Sequence, residues 1–130
     1  MRESYSTVYV VDDDEAVRNA IGMLIESCDW KAALYASTVD FLKDLHVPSG
    51  RSCLVLDLNM PGQSGVDLLE SKEMSIPVIV VTSHTDSPLS RRALANGALA
   101  ILHKPFDDKE LLQHVRSALA LSGSVGAPKP

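Results

Sequence analysis

The sequence has little cysteine, no excess of positive charge and no long apolar run, and each shortage excludes a class of protein. The two cysteines, Cys28 and Cys53, lack the spacing of metal ligands and are too few for a disulfide framework, so we interpret both as small apolar packing residues. The net charge of -5 provides no basic footprint for nucleic acid or an anionic membrane. No apolar run approaches the ~20 residues of a membrane span, and the N-terminus does not have the pattern of a signal peptide. These absences favour a protein of the reducing cytoplasm.

What is present is enough apolar sequence for one globular core. Of the 130 residues, 45% are hydrophobic and 22% are charged, which is the balance of an ordinary single domain. We expect this domain to span residues 1–121. From Ser122 onward the sequence SGSVGAPKP can bury little, so residues 122–130 are predicted to form a flexible linker or tail.

Apolar, strand-like runs alternate with segments of helical period along the chain. The predicted strands are residues 7–11, 31–35, 53–56, 77–81 and 98–102. The predicted helices are residues 15–26, 39–45, 65–73, one from Pro88 to a cap at Asn96-Gly97, and one after Asp107. This alternation predicts a parallel sheet covered on both faces, with the first, third and fourth strands in the centre and the second at an edge.

Polar side chains follow four of the predicted strands. The first strand runs into Asp12 and Asp13, the third ends in Asp57, the fourth in Thr82, and the fifth is followed by Lys104. Ligands bind at the carboxyl ends of the strands in open parallel sheets, so these groups are expected to converge. Clustered carboxylates repel unless a cation compensates them, and a set of oxygen ligands suits Mg²⁺. A lysine and a hydroxyl beside such a metal are suited to a phosphoryl group, which an aspartate can accept as a nucleophile.

Four motifs in order resemble the receiver domain of two-component response regulators. They are VVDDDEAVR at 10–18, LVLDLNMPGQSG at 54–65, VVTSHTD at 80–86 and HKPF at 103–106, and the resemblance covers about residues 7–121. The sequence is most similar to the FixJ-type branch. The resemblance implies a flavodoxin-like (CheY-like), doubly wound α/β fold with a five-stranded parallel sheet in the order 2-1-3-4-5.

The resemblance also assigns the phosphoryl chemistry. Asp57 would accept the phosphoryl group from a sensor histidine kinase, Lys104 would pair with a phosphoryl oxygen, and Thr82 would donate its hydroxyl and move as the switch. The bond between Lys104 and Pro105 is expected to be cis. These roles describe a signalling module rather than an enzyme.

The same resemblance implies a Mg²⁺ site. Asp13 and Asp57 would bind the metal directly together with the backbone carbonyl of Asn59, and Asp12 would act through water. Asp14 is better explained as the cap of the first helix. A phosphohydrolase with an aspartyl nucleophile is the main enzymatic alternative, but such enzymes need a second Asp two residues after the first, where this chain has Asn59.

One residue departs from the family pattern, and it concerns signalling. Family members usually have Tyr or Phe three residues before the lysine, but here the residue is Ile101. We therefore expect activation to act through the loop after Thr82 and the fourth helix.

The resemblance places the output of the module outside these residues. FixJ-type relatives continue into a helix-turn-helix domain, so DNA binding would belong to a domain absent from these residues. The receiver domain would control it by forming a homodimer on phosphorylation, through the fourth and fifth helices and the strand between them. A single-domain regulator, or a receiver that binds protein without phosphorylation, remains an alternative. The latter usually loses an acidic residue, the acceptor or the lysine, and none is lost here.

Overall fold

Strands and helices alternate throughout the described part of the chain. The computed structural model describes residues 6–44, 50–60, 65–71 and 75–125. The elements, in chain order, are β1 Ser6–Val11, α1 Glu15–Glu26, β2 Lys31–Tyr35, α2 Thr38–Asp44, β3 Arg51–Asp57, α3 Gly65–Ser71, β4 Val78–Thr82, α4 Pro88–Ala95, β5 Ala100–His103 and α5 Asp108–Val125. Leu45 and residues 72–73, which were predicted to extend the second and third helices, lie outside the described residues, as do residues 61–64 of the second motif.

The strands form one parallel sheet in the order β2-β1-β3-β4-β5. The predicted fold class and the edge position of β2 are therefore confirmed. Successive residues of β3 point to opposite faces, and two apolar cores result. One core lies between the sheet and helices α1 and α5, and the other lies beneath α2, α3 and α4. Cys53 is buried in the first core, where desolvation raises the pKa of its thiol to about 12, as suits a packing residue.

The connection from α4 to β5 corrects one predicted boundary. The helix closes at Asn96-Gly97 as expected, with Gly97 at φ 100°, a left-handed conformation that glycine adopts without strain. The predicted strand began at Ala98, whereas β5 begins at Ala100. The reason is that the Ala98 N–H donates to the carbonyl of Ala93 and so belongs to the end of the helix.

The last helix corrects a second boundary, at the start of the predicted linker. Helix α5 continues to Val125, although residues 122–130 were expected to be linker or tail. Ser122 is 8% exposed, and its Oγ accepts a hydrogen bond of 3.1 Å from the backbone N–H of Ser52 at the start of β3. Composition does not reveal a contact between residues so far apart. Residues 126–130 lie outside the described part, so the linker itself stays a prediction.

No helix within the described ranges is long and apolar enough to span a membrane.

At the start of α1, Asp14 caps the helix as predicted, because its Oδ1 accepts from the backbone N–H groups of Ala16 and Val17 at 2.9 and 3.2 Å.

The close approach of α3 to the end of β3 predicts a strong effect of one methyl group. A Cβ at Gly65 would lie 2.7 Å from the backbone oxygen of Asp57, which cannot move without disturbing the strand. We expect Gly65→Ala to lower the free energy of unfolding by about 1–3 kcal/mol. Gly22→Ala is the matched control, since its Cβ would meet only the partly exposed side chain of Leu34 at 3.2 Å, and alanine favours the helix. Urea unfolding decides, and a Gly65→Ala variant as stable as the control would contradict this packing.

Candidate functional site

The parallel register brings the ends of β1, β3, β4 and β5 to one edge of the sheet. Val11 pairs with Leu56, and Asp57 with Val81, so the strands end at nearly the same level. Thr82 pairs with His103 at the end of β5. The strand-end groups predicted from the sequence therefore meet at this edge.

Three carboxylates form the centre of the site. Asp12, Asp13 and Asp57 each contribute an oxygen, and these oxygens all lie within 4.8 Å of one another. Asp12 and Asp57 are buried, at 0% and 3% exposure, while Asp13 is exposed. Backbone donors orient the two buried groups: the Asp14 N–H donates to Asp12 Oδ1 at 2.9 Å, and the Asn59 N–H donates to Asp57 Oδ1 at 3.1 Å.

The lysine expected after β5 reaches both buried carboxylates. Lys104 Nζ lies 3.0 Å from Asp12 Oδ2 and 3.5 Å from Asp57 Oδ2. Burial alone would lower the pKa of the Lys104 ammonium, but its pairing with Asp12 and Asp57 outweighs this and raises the pKa. The lysine therefore stays charged. The bond between Lys104 and Pro105 is cis, as expected.

The charge of this cluster is not balanced around Asp57. Desolvation, and next the charge of Asp12, raise the pKa of the Asp57 carboxyl above its usual range, although the Asn59 N–H and Lys104 act in the opposite direction. Carboxylates at this spacing form a set of hard oxygen ligands for a metal ion, open to solvent on the side of Asp13. Such a set fits Mg²⁺, which binds through one or two carboxylates and keeps several waters. The contribution of the Asn59 carbonyl stays a prediction.

The hydroxyl expected at the end of β4 is buried and held by two donors. Thr82 is 1% exposed, and its Oγ1 accepts from Asn59 Nδ2 at 2.6 Å and from the His84 N–H at 3.1 Å. The sequence does not predict this contact of the Asn59 side chain. The only signal for it in the sequence is the position of Asn59, two residues beyond a strand end. The nearby Ile101 is partly buried against the core under α2, α3 and α4.

The raised pKa of Asp57 predicts a pH-dependent cost to the fold. Because the pKa of Asp57 is higher in the folded chain, protonation of this carboxyl favours the fold. The contribution is fully present below the pKa of the unfolded chain, about 3.9, and is lost as the pH rises through the folded pKa. At pH 8 in EDTA we therefore expect Asp57→Asn to be more stable than the wild type, because it lacks the charge that burial and Asp12 disfavour. Asparagine keeps an oxygen for the Asn59 N–H but carries no charge.

Thermal unfolding in EDTA from pH 8 down to about pH 4, near the pKa of the unfolded carboxyl, tests this expectation. The advantage of Asp57→Asn should shrink as the pH falls, while Asp67→Asn, at an exposed position on α3, should show no such trend. A wild type that is as stable as Asp57→Asn at every pH would contradict the electrostatic account.

Comparison with known proteins gives a consistent result. The family model described as response regulator receiver domain matches residues 8–116. The chain is 41% identical over 122 residues to the transcriptional regulatory protein FixJ of Azorhizobium caulinodans, covering 92% of this chain and 57% of that protein. It is 37% identical over 125 residues to the response regulator protein TodT of Pseudomonas putida strain F1, covering 94% and 55%.

The solved structure of the response regulator StyR is similar at a TM-score of 0.83 and 35% identity, covering 93% of this chain and 62% of that one. The chain thus spans little more than half the length of the curated relatives it matches.

Proposed function

This chain belongs to the family of response regulator receiver domains, and from that premise we propose that it accepts a phosphoryl group on Asp57, in a Mg²⁺-dependent reaction, and changes conformation in response. The observation that carries the proposal is the placement of Asp57, buried at a strand end with Asp12 and Asp13 on one side and Lys104 3.5 Å away.

The residues supply what a phosphoryl transfer to a carboxylate needs. An oxygen of Asp57 attacks the phosphorus of the donor, an O–P bond forms, and the bond to the leaving group breaks with its electron pair. Lys104 places a positive charge where a phosphoryl oxygen arrives, and Thr82 provides a hydroxyl to donate to another. Mg²⁺, held by Asp13 and Asp57 with Asp12 acting through water, would neutralise charge that develops on the phosphoryl oxygens.

We further propose that the donor is a sensor histidine kinase and that the module works in the cytoplasm. The relative FixJ is named as a transcriptional regulatory protein, and the chain covers 57% of its length. This supports a role in transcription through an output domain outside these residues. The net charge of -5 gives the present chain no basic footprint for DNA, so nucleic acid would contact that output domain.

Signal output would pass through α4. This helix begins six residues after Thr82. Three leucines are exposed in this region: Leu94 on α4, Leu99 just before β5 and Leu121 on α5. These apolar side chains support the proposal of a homodimer that forms on phosphorylation through α4, β5 and α5. Because Ile101 replaces the usual aromatic residue, we propose that the loop between Thr82 and α4 transmits the change.

Mass spectrometry of the intact protein after incubation with acetyl phosphate tests this proposal. With Mg²⁺ we expect one phosphoryl adduct per chain, and with EDTA none, because the carboxylates then repel the anionic donor. Absence of the adduct with Mg²⁺, with phosphoramidate and with a cognate kinase would contradict the proposal and favour phosphorylation-independent protein binding.

A further inference from the structure

The hydroxyl of Thr82 is held in place by groups other than the carboxylates. A hydroxyl oxygen has two lone pairs, and the two donors of Thr82 Oγ1, Asn59 Nδ2 and the His84 N–H, account for both. Among the residues that the structure describes, no hydrogen bond joins the Thr82 hydroxyl to a carboxylate of the cluster or to the Lys104 ammonium, and Lys104 contacts Thr82 only through its backbone N–H, which donates to the Thr82 carbonyl at 2.8 Å. The two donors therefore fix the position of the hydroxyl oxygen, and the O–H remains as the group that can donate to a phosphoryl group on Asp57.

A short chain of hydrogen bonds continues from Thr82 to the start of α4. The carbonyl of His84 accepts from Ser90 Oγ at 2.8 Å, and Ser90 is 1% exposed. The backbone N–H of Ser90 in turn donates to Ser87 Oγ, the cap of the helix, at 3.1 Å. Through its N–H, His84 connects this turn to the Thr82 hydroxyl, so displacement of Thr82 strains the first turn of α4.

We propose that the side chain of Asn59 is a positioning residue that restrains the Thr82 hydroxyl, and with it the first turn of α4, in the unphosphorylated arrangement. This role rests on the proposed function, and it belongs to the carboxamide, apart from any part that the Asn59 carbonyl plays in metal binding. Movement of the Thr82 hydroxyl toward the phosphoryl group, which is the proposed switch, would lengthen or break the hydrogen bond of 2.6 Å between Asn59 Nδ2 and Thr82 Oγ1. The bond therefore opposes this movement.

Replacing Asn59 by leucine removes the donor and leaves other features in place. Leucine has the same number of side-chain heavy atoms and the same branching at Cγ, and it keeps the backbone carbonyl. Because a net hydrogen bond at a partly exposed site contributes modestly, we expect Asn59→Leu to bind beryllofluoride, a stable mimic of the phosphoryl group, about two- to fivefold more tightly in Mg²⁺. Calorimetry measures this equilibrium without interference from phosphoryl hydrolysis.

A double-mutant cycle with Thr82→Val shows whether Asn59 acts through the hydroxyl. Valine keeps the β-branched shape of Thr82 but has no oxygen to accept the bond. In the Thr82→Val background, Asn59→Leu should change the affinity for beryllofluoride by less than about 1.5-fold, because the two effects are coupled. The same gain with and without the hydroxyl would overturn the proposal, and so would unchanged or weaker binding by Asn59→Leu alone.

Amide spectra of the ligand-free variants provide a readout that does not depend on binding. In Asn59→Leu the signals of His84 and Ser90 should shift from their wild-type positions, and where beryllofluoride binds, the shift should point toward the bound positions. Unchanged His84 and Ser90 signals would overturn the restraint. Failure of the wild type to bind beryllofluoride would instead contradict the proposed function, and the ligand-free spectra would then decide on Asn59 alone.

Discussion

The Asp57→Asn variant should acquire no phosphoryl group under conditions that phosphorylate the wild type to completion. The loss should exceed a hundredfold, because the carboxamide that replaces the carboxylate is a far weaker nucleophile. The fold should survive, since asparagine keeps the oxygen that accepts the Asn59 N–H at 3.1 Å and removes a charge that burial and Asp12 disfavour. Loss of the adduct in a folded, stable variant would therefore reflect the chemistry of position 57.

The matched control is Asp67→Asn, which removes an exposed carboxylate from the first turn of α3 without touching the cluster. It should be phosphorylated like the wild type, as measured by the mass of the intact protein at successive times with acetyl phosphate and Mg²⁺. An Asp57→Asn variant that acquired the adduct at the wild-type rate would show that another residue is the acceptor.

The second large effect is expected at Lys104. Its ammonium lies 3.0 Å from Asp12 and 3.5 Å from Asp57, where it can form a charge-assisted hydrogen bond to a phosphoryl oxygen. Such bonds contribute about 1.5–3 kcal/mol. We therefore expect Lys104→Met, which keeps the length of the side chain without its charge, to bind beryllofluoride in Mg²⁺ about 10- to 100-fold more weakly than the wild type.

Lys109→Met is the control for loss of a positive charge, because Lys109 is exposed in the first turn of α5. Its affinity, measured by the same calorimetric titration, should stay within about twofold of the wild type, since exposed charges interact weakly through water. If both lysine variants lost affinity equally, the effect would be one of net charge, and the specific contact of Lys104 would be contradicted.

Much of the fold was predictable because it depends on patterns that are local in sequence. Apolar runs between helical segments predict a parallel sheet, and a parallel sheet brings the carboxyl ends of its strands together. Asp57 and Lys104 were therefore expected at one edge although 47 positions separate them, and the lysine lies 3.5 Å from the carboxylate. The order of the strands depended on the resemblance between whole motifs, which the sheet topology confirms.

The features that the sequence did not reveal depend on single hydrogen bonds and not on periodic patterns. The extension of α5 past Ser122 accompanies one hydrogen bond to the start of β3, and the later start of β5 reflects one bond between Ala98 and Ala93. The contact of Asn59 with Thr82 is of the same kind, since 23 positions separate the two side chains. Rotamers and loop geometry decide such contacts, and no periodicity encodes them.

The most direct test of the account is to locate the phosphoryl group. The phosphorylated wild type would be reduced with borohydride, which converts an acyl phosphate on aspartate to homoserine, then digested and sequenced by tandem mass spectrometry. The account predicts homoserine at position 57 and at no other aspartate. A stable phosphate on a serine such as Ser87, or homoserine at Asp12 or Asp13 with Asp57 intact, would contradict it.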